Sequence, residues 1–353
     1  SLYAFSKLQK FFVIFKRNYL NRSLLLKLMK RVYIVGKGKL IIKERGLVLE
    51  KYEKNVKKQW KLPINNIDLI LCEGLIGLSP LSLRAIINKN ITVLFLGKNG
   101  ALKGVLLPIS KAFPSLQIFQ YKAFLDKRLE IATEFINSLK ISSILSLSMI
   151  RDKISKEISE KIKSIEISPR DSIEELMGLE SIIWKNIYEY LRLSTYDFEK
   201  REFHPPKGRL NSIISFGNSM LYSLIFSKIV EEDLNPKIGF LHEAYEGRNS
   251  LALDISESFK PPLLLLLNLY IIRNNILNEI HFNENENSTF LNDLGRSIYI
   301  KMFEKFISTK MFKIHKKGKF SLSSLIEIEV KNLGKSIVNN KRFFSVWRTC
   351  SSY

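Results

Sequence analysis

Between Arg31 and Pro108 glycine recurs at short intervals among β-branched residues, whereas after Pro114 it becomes rare and apolar residues recur at three and four. One segment cannot satisfy both periods, so the chain must divide into a β-rich part and a helical part. "RVYIVGKGKLIIKERGLVLEKY" gives short β-branched runs broken at Gly36, Gly38 and Gly46, which predicts tight hairpins. "IDLILCEG" and "ITVLFLG" are apolar runs bounded by turn residues and read as buried strands. Between them, Ser79 followed by Pro80 is a helix start, because serine can cap and proline fits the first turn. Asn99-Gly100 predicts a hairpin into "ALKGVLLP".

Beyond Pro114 the period predicts a helix through "LQIFQYKAFLDKRLEIATEFINSLKI", then a solvated, charge-laced helix in "RDKISKEISEKIKSIEIS". Further helices are expected near 172–193, 209–232, 263–279 and 289–309, and the last forty residues are basic and weakly patterned. The fold class expected is therefore α+β. It divides into a basic extension over 1–30, a β-rich N-terminal domain over 31–110, and a larger all-α catalytic domain over 111–353. The two domains would join near Leu107–Ser115. A length of 353 residues suits two domains of roughly 100–200 residues each.

Lys and Arg number 56 against 34 Asp and Glu, a formal net charge of +22. Such a surplus attracts polyanions, nucleic acid first and anionic membrane second. An AT-rich genome also raises lysine, isoleucine and asparagine, in which this chain is rich. Two cysteines, Cys72 and Cys350, build neither a disulfide framework nor a four-cysteine zinc site, and they suit a reducing cytoplasm. "LLLLLNLYII" from Leu263 is shorter than the roughly 20 residues that span a bilayer, so a core helix is expected there and no membrane span anywhere. The first thirty residues carry many bases and no acid. They suit a targeting peptide, an amphipathic helix on DNA or membrane, or an extension without a role.

Acids gather where an apolar core is expected. In "DSIEELMGLESIIWKNIYEYLR" the apolar stripe Ile173, Met177, Trp184, Ile187, Leu191 lacks one member, and Glu180 fills that place. A helix would turn Glu180 inward, where a carboxylate needs a partner, a proton or a metal. A structural ion pair or the wet edge of the stripe would serve equally. "IGFLHEAYEGRNSLALDISESFKPP" adds His242, Glu243, Glu246, Asp254 and Glu257 against Arg248 and Lys260. His242 ends an apolar run, as a hydrogen-bonded core histidine or a metal ligand would. Asp254 and Glu257 share a helix face, and "DISE" also reads as a capping box. Glu180, His242 and this acid pair would make a hard, mostly oxygen site for Mg²⁺ or Mn²⁺.

The same residues resemble a known family. Gly178-Leu179-Glu180, "RLNSIISFGNSML" from Arg209, "NPKIGFLH" ending at His242 and "SLALDISESFKPP" from Ser250 are similar, in type and order, to the marks of the CRISPR-associated spacer-acquisition integrase. That family is the large subunit of the CRISPR adaptation complex, and the resemblance covers roughly Arg31 to Asn275. It implies a β-rich domain before a helical one. It also implies metal-dependent DNA endonuclease and integrase activity, in which a 3′-hydroxyl of a captured fragment attacks a phosphodiester at the repeat border. By position it implies Glu180, His242 and Glu257 as metal ligands, with Asp254 the adjacent acid. Arg248 and Lys260 become candidates for DNA contact. The partners implied are DNA, a second copy of the chain and a small ferredoxin-like acquisition subunit. Departures are Ser181, where glycine or alanine is usual, Asn218, where an aromatic is frequent, and the first thirty residues. The alternatives are a transposon-borne integrase of the same fold and a non-catalytic nucleic-acid-binding scaffold.

Overall fold

The structure is a computed structural model that describes residues 31–351, apart from 45, 54–55, 98–99, 109–113, 168–171 and 315–316. The readings made for residues 1–30 and for Asn99 lie outside that set. The described residues form two compact units, the first carrying a six-stranded sheet in the order β3-β2-β1-β4-β5-β6.

β1 (Arg31–Lys43), β2 (Gly46–Glu53) and β3 (Val56–Leu62) are joined as antiparallel hairpins, the first turning at Gly46 as expected. β4 (Leu69–Leu78) pairs parallel to β1, and α1 (Pro80–Asn88) carries the chain across to β5 (Thr92–Leu96), parallel to β4. The Ser79 side chain accepts from the Ser82 backbone N–H, so the predicted cap is present. β6 (Leu102–Leu106) returns antiparallel to β5. The core beneath the sheet comes from alternate strand residues such as Ile34, Leu40, Leu47, Ile70 and Val93, joined by Ile86 of α1. Gly36 and Gly38 lie inside β1 rather than at turns, contrary to expectation. Gly36 faces Gly74 across the parallel pair, both at positive φ, and a Cβ on Gly74 would stand 2.4 Å from the Gly36 carbonyl oxygen. That glycine pair lets β1 and β4 pass at a distance side chains would forbid.

The second unit is mostly helical. α2 (Pro114–Ile150), α3 (Lys153–Lys163), α4 (Ile173–Ser194) and α5 (Arg209–Glu231) follow in order. α6 (Ser250–Glu257) then bends by 61° into α7 (Lys260–Arg273). The leucine run is buried core as expected, although Leu263–Asn268 is wound as a π-helix. The helix expected over 263–279 stops at Arg273. That expected from 289 begins at Asp293, because β7 (Phe282–Asn285) and β8 (Ser288–Leu291) form a hairpin just before α8 (Asp293–Ser308). α5 is long and apolar enough to cross a membrane, against the expectation that no segment is. However, 67% of its apolar window is buried within the protein, which makes it a core helix.

The weakly patterned tail is folded. β9 (Lys310–Ile314), β10 (Gly318–Ser321), α9 (Leu322–Val338) and β11 (Cys350–Ser351) occupy it, so short strands accompany the helices of a unit expected to be all-α. Trp347 is fully buried against Phe259 and Phe312. Glu134 of α2 receives Arg348 through both oxygens at 2.6 Å and accepts the Ser345 N–H. Glu329 of α9 accepts the Val346 N–H at 2.7 Å. Burial pushes the Glu329 carboxyl up from 4.5 to about 7, although the Val346 N–H opposes it. The native state therefore keeps a proton that the unfolded chain releases between these values. Stability should be full below about 4.5 and fall as pH rises through about 7, by about 3 kcal/mol for this group. Glu329→Gln should remove that slope. Urea midpoints of both proteins at pH 5 and pH 8 test this, and an unchanged slope in the variant would refute the assignment.

Candidate metal centre

α4 begins at Ser172, whose side chain accepts from the Glu175 N–H. Its buried face is Leu176, Ile183, Ile187, Tyr190 and Leu191, while Met177 is 39% exposed. The buried face shares Ile187 and Leu191 with the stripe read in the sequence, but its N-terminal half turns to Leu176 and Ile183 in place of Met177 and Trp184. Glu180, four residues after Leu176 and three before Ile183, lies on that buried face, toward its Met177 side. Its side chain is only 13% exposed, because α6 and the segment ending at His242 cover it.

The segment from Ile238 to His242 is pinned by Asp254. This carboxylate is fully buried in α6, and its Oδ2 accepts the N–H groups of Phe240 (2.5 Å) and Leu241 (3.0 Å). Its Oδ1 accepts the N–H of His242 at 2.9 Å and Nδ1 of the same residue at 2.7 Å. The approach is close enough that a Cβ on Gly239 would lie 2.7 Å from Oδ2, which explains glycine before "FLH". α6 starts at Ser250 after Asn249, so Asp254 stands within the helix and "DISE" is not a capping box. Because a carboxylate accepts, Nδ1 of His242 carries a proton, which leaves Nε2 as the nitrogen that can serve as a ligand. Nε2 lies 4.0 Å from Oε2 of Glu180.

Glu257, at the end of α6, completes the group. Its Oε2 accepts from Trp184 Nε1 at 2.8 Å, and its Oε1 accepts from the Lys260 ammonium. Glu180, His242 and Glu257 each offer one ligand atom, all within 4.8 Å of one another. Burial, then the neighbouring Glu257, pushes Glu180 up to about 8. Burial would raise Glu257 as well, but Lys260, with help from His242 and Trp184, holds it below the ordinary range. Burial would lower His242, yet Asp254 and the two glutamates raise it. The site is short of positive charge on the Glu180 side. A divalent ion among these three ligands would relieve it. The residues fit a hard divalent cation.

Arg248 stands exposed in the loop before α6, whereas Lys260 bonds Glu257 of the ligand group. Residues not singled out in the sequence also surround the site. Trp184 and Tyr222 face the Lys260 ammonium at 5.8 and 5.2 Å from their ring centres. Arg201, in the loop before α5, donates to Asn211 Oδ1 (3.0 Å) and Ser215 Oγ (2.9 Å). Asn211 in turn donates to the carbonyls of Lys200 and Lys207, so this asparagine in the first turn of α5 ties the preceding loop to the helix. A tryptophan one turn after Glu180 was a usable signal for a hydrogen-bond donor to an acid. Arg201 offered none.

The chain matches the family described as "CRISPR associated protein Cas1" over residues 32–305. A CRISPR-associated endonuclease Cas1 of Moorella thermoacetica is 32% identical over 332 residues, covering 90% of this chain and all of that protein. The solved CAS1 protein TM1797 of Thermotoga maritima is 28% identical, covers 89% of this chain and 99% of its own, and superposes with a TM-score of 0.75. A casposase bound to integration product reaches the same TM-score at 24% identity, over 91% of this chain and 94% of that one, and shares the fold. Motif order, fold and sequence agree over most of the length: the chain belongs to the Cas1 family of CRISPR-associated proteins.

Proposed function

We propose that this chain is a divalent-metal-dependent DNA endonuclease and integrase that inserts foreign DNA fragments into a CRISPR array, with Glu180, His242 and Glu257 holding Mg²⁺ or Mn²⁺. The observation that carries this is the convergence, from α4, the GFLH segment and α6, of three ligand atoms within 4.8 Å, two of them on buried residues and the third on half-buried Glu180. When bound, the ion polarises a phosphodiester and acidifies the attacking hydroxyl. Asp254 orients His242 and keeps its proton on Nδ1. Trp184 and Lys260 fix the two oxygens of Glu257. In transfer, the 3′-hydroxyl oxygen of the fragment bonds to phosphorus and gives its proton to water, the P–O bond to the leaving 3′ oxygen breaks, and that oxygen takes up a proton from water to become a new 3′-hydroxyl. One phosphodiester replaces another, so no nucleotide is consumed; water in place of the hydroxyl gives cleavage. Asp254 is proposed here as a strut rather than a ligand. The partners are DNA, a second copy of the chain and a small ferredoxin-like acquisition subunit, acting in the cytoplasm. The transposon-borne alternative is disfavoured by the 32% identity to a CRISPR-associated endonuclease across that protein's full length.

Titrating Mn²⁺ into wild type and His242→Ala, with strand transfer followed on a repeat-containing duplex, tests the reading. Wild type should bind and transfer, and the variant should do neither. Transfer that persists in chelator would refute it. The net charge of +22 predicts a second result. Affinity for duplex DNA should fall by roughly 10³-fold or more between 50 and 200 mM salt, by counterion release. His242→Ala should follow the same salt slope, because phosphate binding does not use the ligand. A flat salt dependence would count against the charged surface as the DNA holder.

A further inference from the structure

We propose that the ammonium of Lys260 takes the place of a second metal ion, so that the centre works with one divalent cation and one fixed lysine. The inference rests on the metal reading above and adds to it the number of ions and the work of Lys260. Two-metal sites place cations on both sides of the reacting phosphate, about 3.5–4 Å apart. Here the described residues supply ligand atoms for one ion, in a single group. Asp254, the remaining acid, cannot serve a second. Each of its oxygens already accepts two hydrogen bonds, from Phe240 and Leu241 on one side and twice from His242 on the other.

Charge leads to the same count. Glu180, Asp254 and Glu257, when ionised, total three negative charges. A divalent ion and the Lys260 ammonium total three positive charges, while His242 as a ligand is neutral. A second divalent ion would leave two positive charges uncompensated in a buried site, beyond what one DNA phosphate offsets. Lys260 is built to stay. Its side chain is 12% exposed, its ammonium bonds Oε1 of Glu257, and the rings of Trp184 and Tyr222 face it at cation–π distance. It follows directly on the bend between α6 and α7, and Pro261 and Pro262 fix the chain after it. A lysine attached to one oxygen of a metal-binding carboxylate lies next to the ion on that carboxylate. There it can meet the negative charge that develops on phosphate oxygen. A compact point charge suits that position better than a planar guanidinium.

Mn²⁺ binding to the full-length wild-type chain and to Lys260→Met, by calorimetry and by electron paramagnetic resonance, tests this. Strand-transfer rate and duplex affinity are measured beside it. The expected result is one Mn²⁺ per wild-type chain. Lys260→Met should bind Mn²⁺ at least tenfold more tightly, because a neighbouring positive charge is gone, yet transfer about 100-fold more slowly. A lysine that merely supports the fold would give weaker Mn²⁺ binding on removal. One that contacts only DNA would give weaker duplex binding and unchanged Mn²⁺ affinity. Either result overturns the proposal. Should Lys260→Met not fold, the wild type still decides: two Mn²⁺ per chain at saturation, free or on DNA, overturns it, and one sustains it. No Mn²⁺ binding at all would instead sink the metal reading on which the proposal rests.

Discussion

Glu180→Ala will yield a folded protein, at least as heat-stable as the wild type at pH 8, whose strand transfer is reduced by about 10³-fold or more. The two halves of this result have one cause. Glu180 sits with 13% of its side chain exposed, across from Glu257, and its carboxyl is pushed up to about 8. In the metal-free protein its ionised form is a burden on the fold, because burial removes solvent and Glu257 repels it. Alanine removes that burden, and the gap it leaves is at a side chain that water still reaches in part, not in the sealed core. Function suffers because one of three ligands is gone, and stabilisation of the reacting phosphate by a bound ion is worth several kcal/mol, or about 10³ in rate. Calorimetric melting, Mn²⁺ titration and a transfer assay on one preparation measure both halves. Loss of activity together with a large fall in melting temperature would place Glu180 in the core as a structural partner. Full activity would remove it from the centre.

The sequence exposed this centre for a reason that the structure qualifies. Glu180 stood out as a gap in an apolar stripe, yet Met177, part of that stripe, faces solvent, and the true buried face is set by Leu176 and Ile183. The anomaly was nevertheless informative. Leu176 and Ile183 flank Glu180 at helical spacing, so this carboxylate is covered although the stripe turned from the one expected, and periodicity carries no knowledge of the second element that packs over it. His242 was legible because it ends a run of buried residues, Phe240 and Leu241 among them. Local patterns also told β from α and placed the Ser79 cap, both decided within a few residues. Pairing between distant segments was not legible: β1 alongside β4, thirty-eight positions on at Arg31 and Leu69, follows from the sheet as a whole. The tail was misread for the same reason. Trp347 and Arg348 look like an unpatterned basic end until Phe259, Phe312 and Glu134 are placed around them.

Asp254 separates holding a site together from acting in it, and Asp254→Ala should be the most destabilising single change at this centre. Sequence spacing allowed it to be a helix cap. In the structure it accepts the N–H groups of three successive residues, Phe240, Leu241 and His242, at zero exposure. Alanine leaves these donors buried without an acceptor, at about 1–3 kcal/mol each before relaxation. A net loss of about 4–5 kcal/mol is expected, enough to unfold a large fraction of a marginally stable protein. The GFLH segment would then lose its anchor to α6, and Nδ1 of His242 its partner, so ligand geometry fails with stability. Asp254→Asn should separate the two effects. Its amide oxygen still receives part of the N–H set, and its shape is the same, so about half the stability loss is expected. The histidine tautomer, however, is no longer fixed by a charge, so Mn²⁺ affinity should fall by about 10–100-fold, the usual cost of losing an outer-shell partner. His242→Ala gives the opposite pattern, with binding abolished and less stability lost than in Asp254→Ala, because its backbone N–H still bonds Asp254. Urea denaturation paired with Mn²⁺ titration across these variants tells the roles apart. If Asp254→Ala melts with the wild type, the carboxylate is not the strut that holds the histidine segment, and the precision of the ligand set must come from elsewhere in α6.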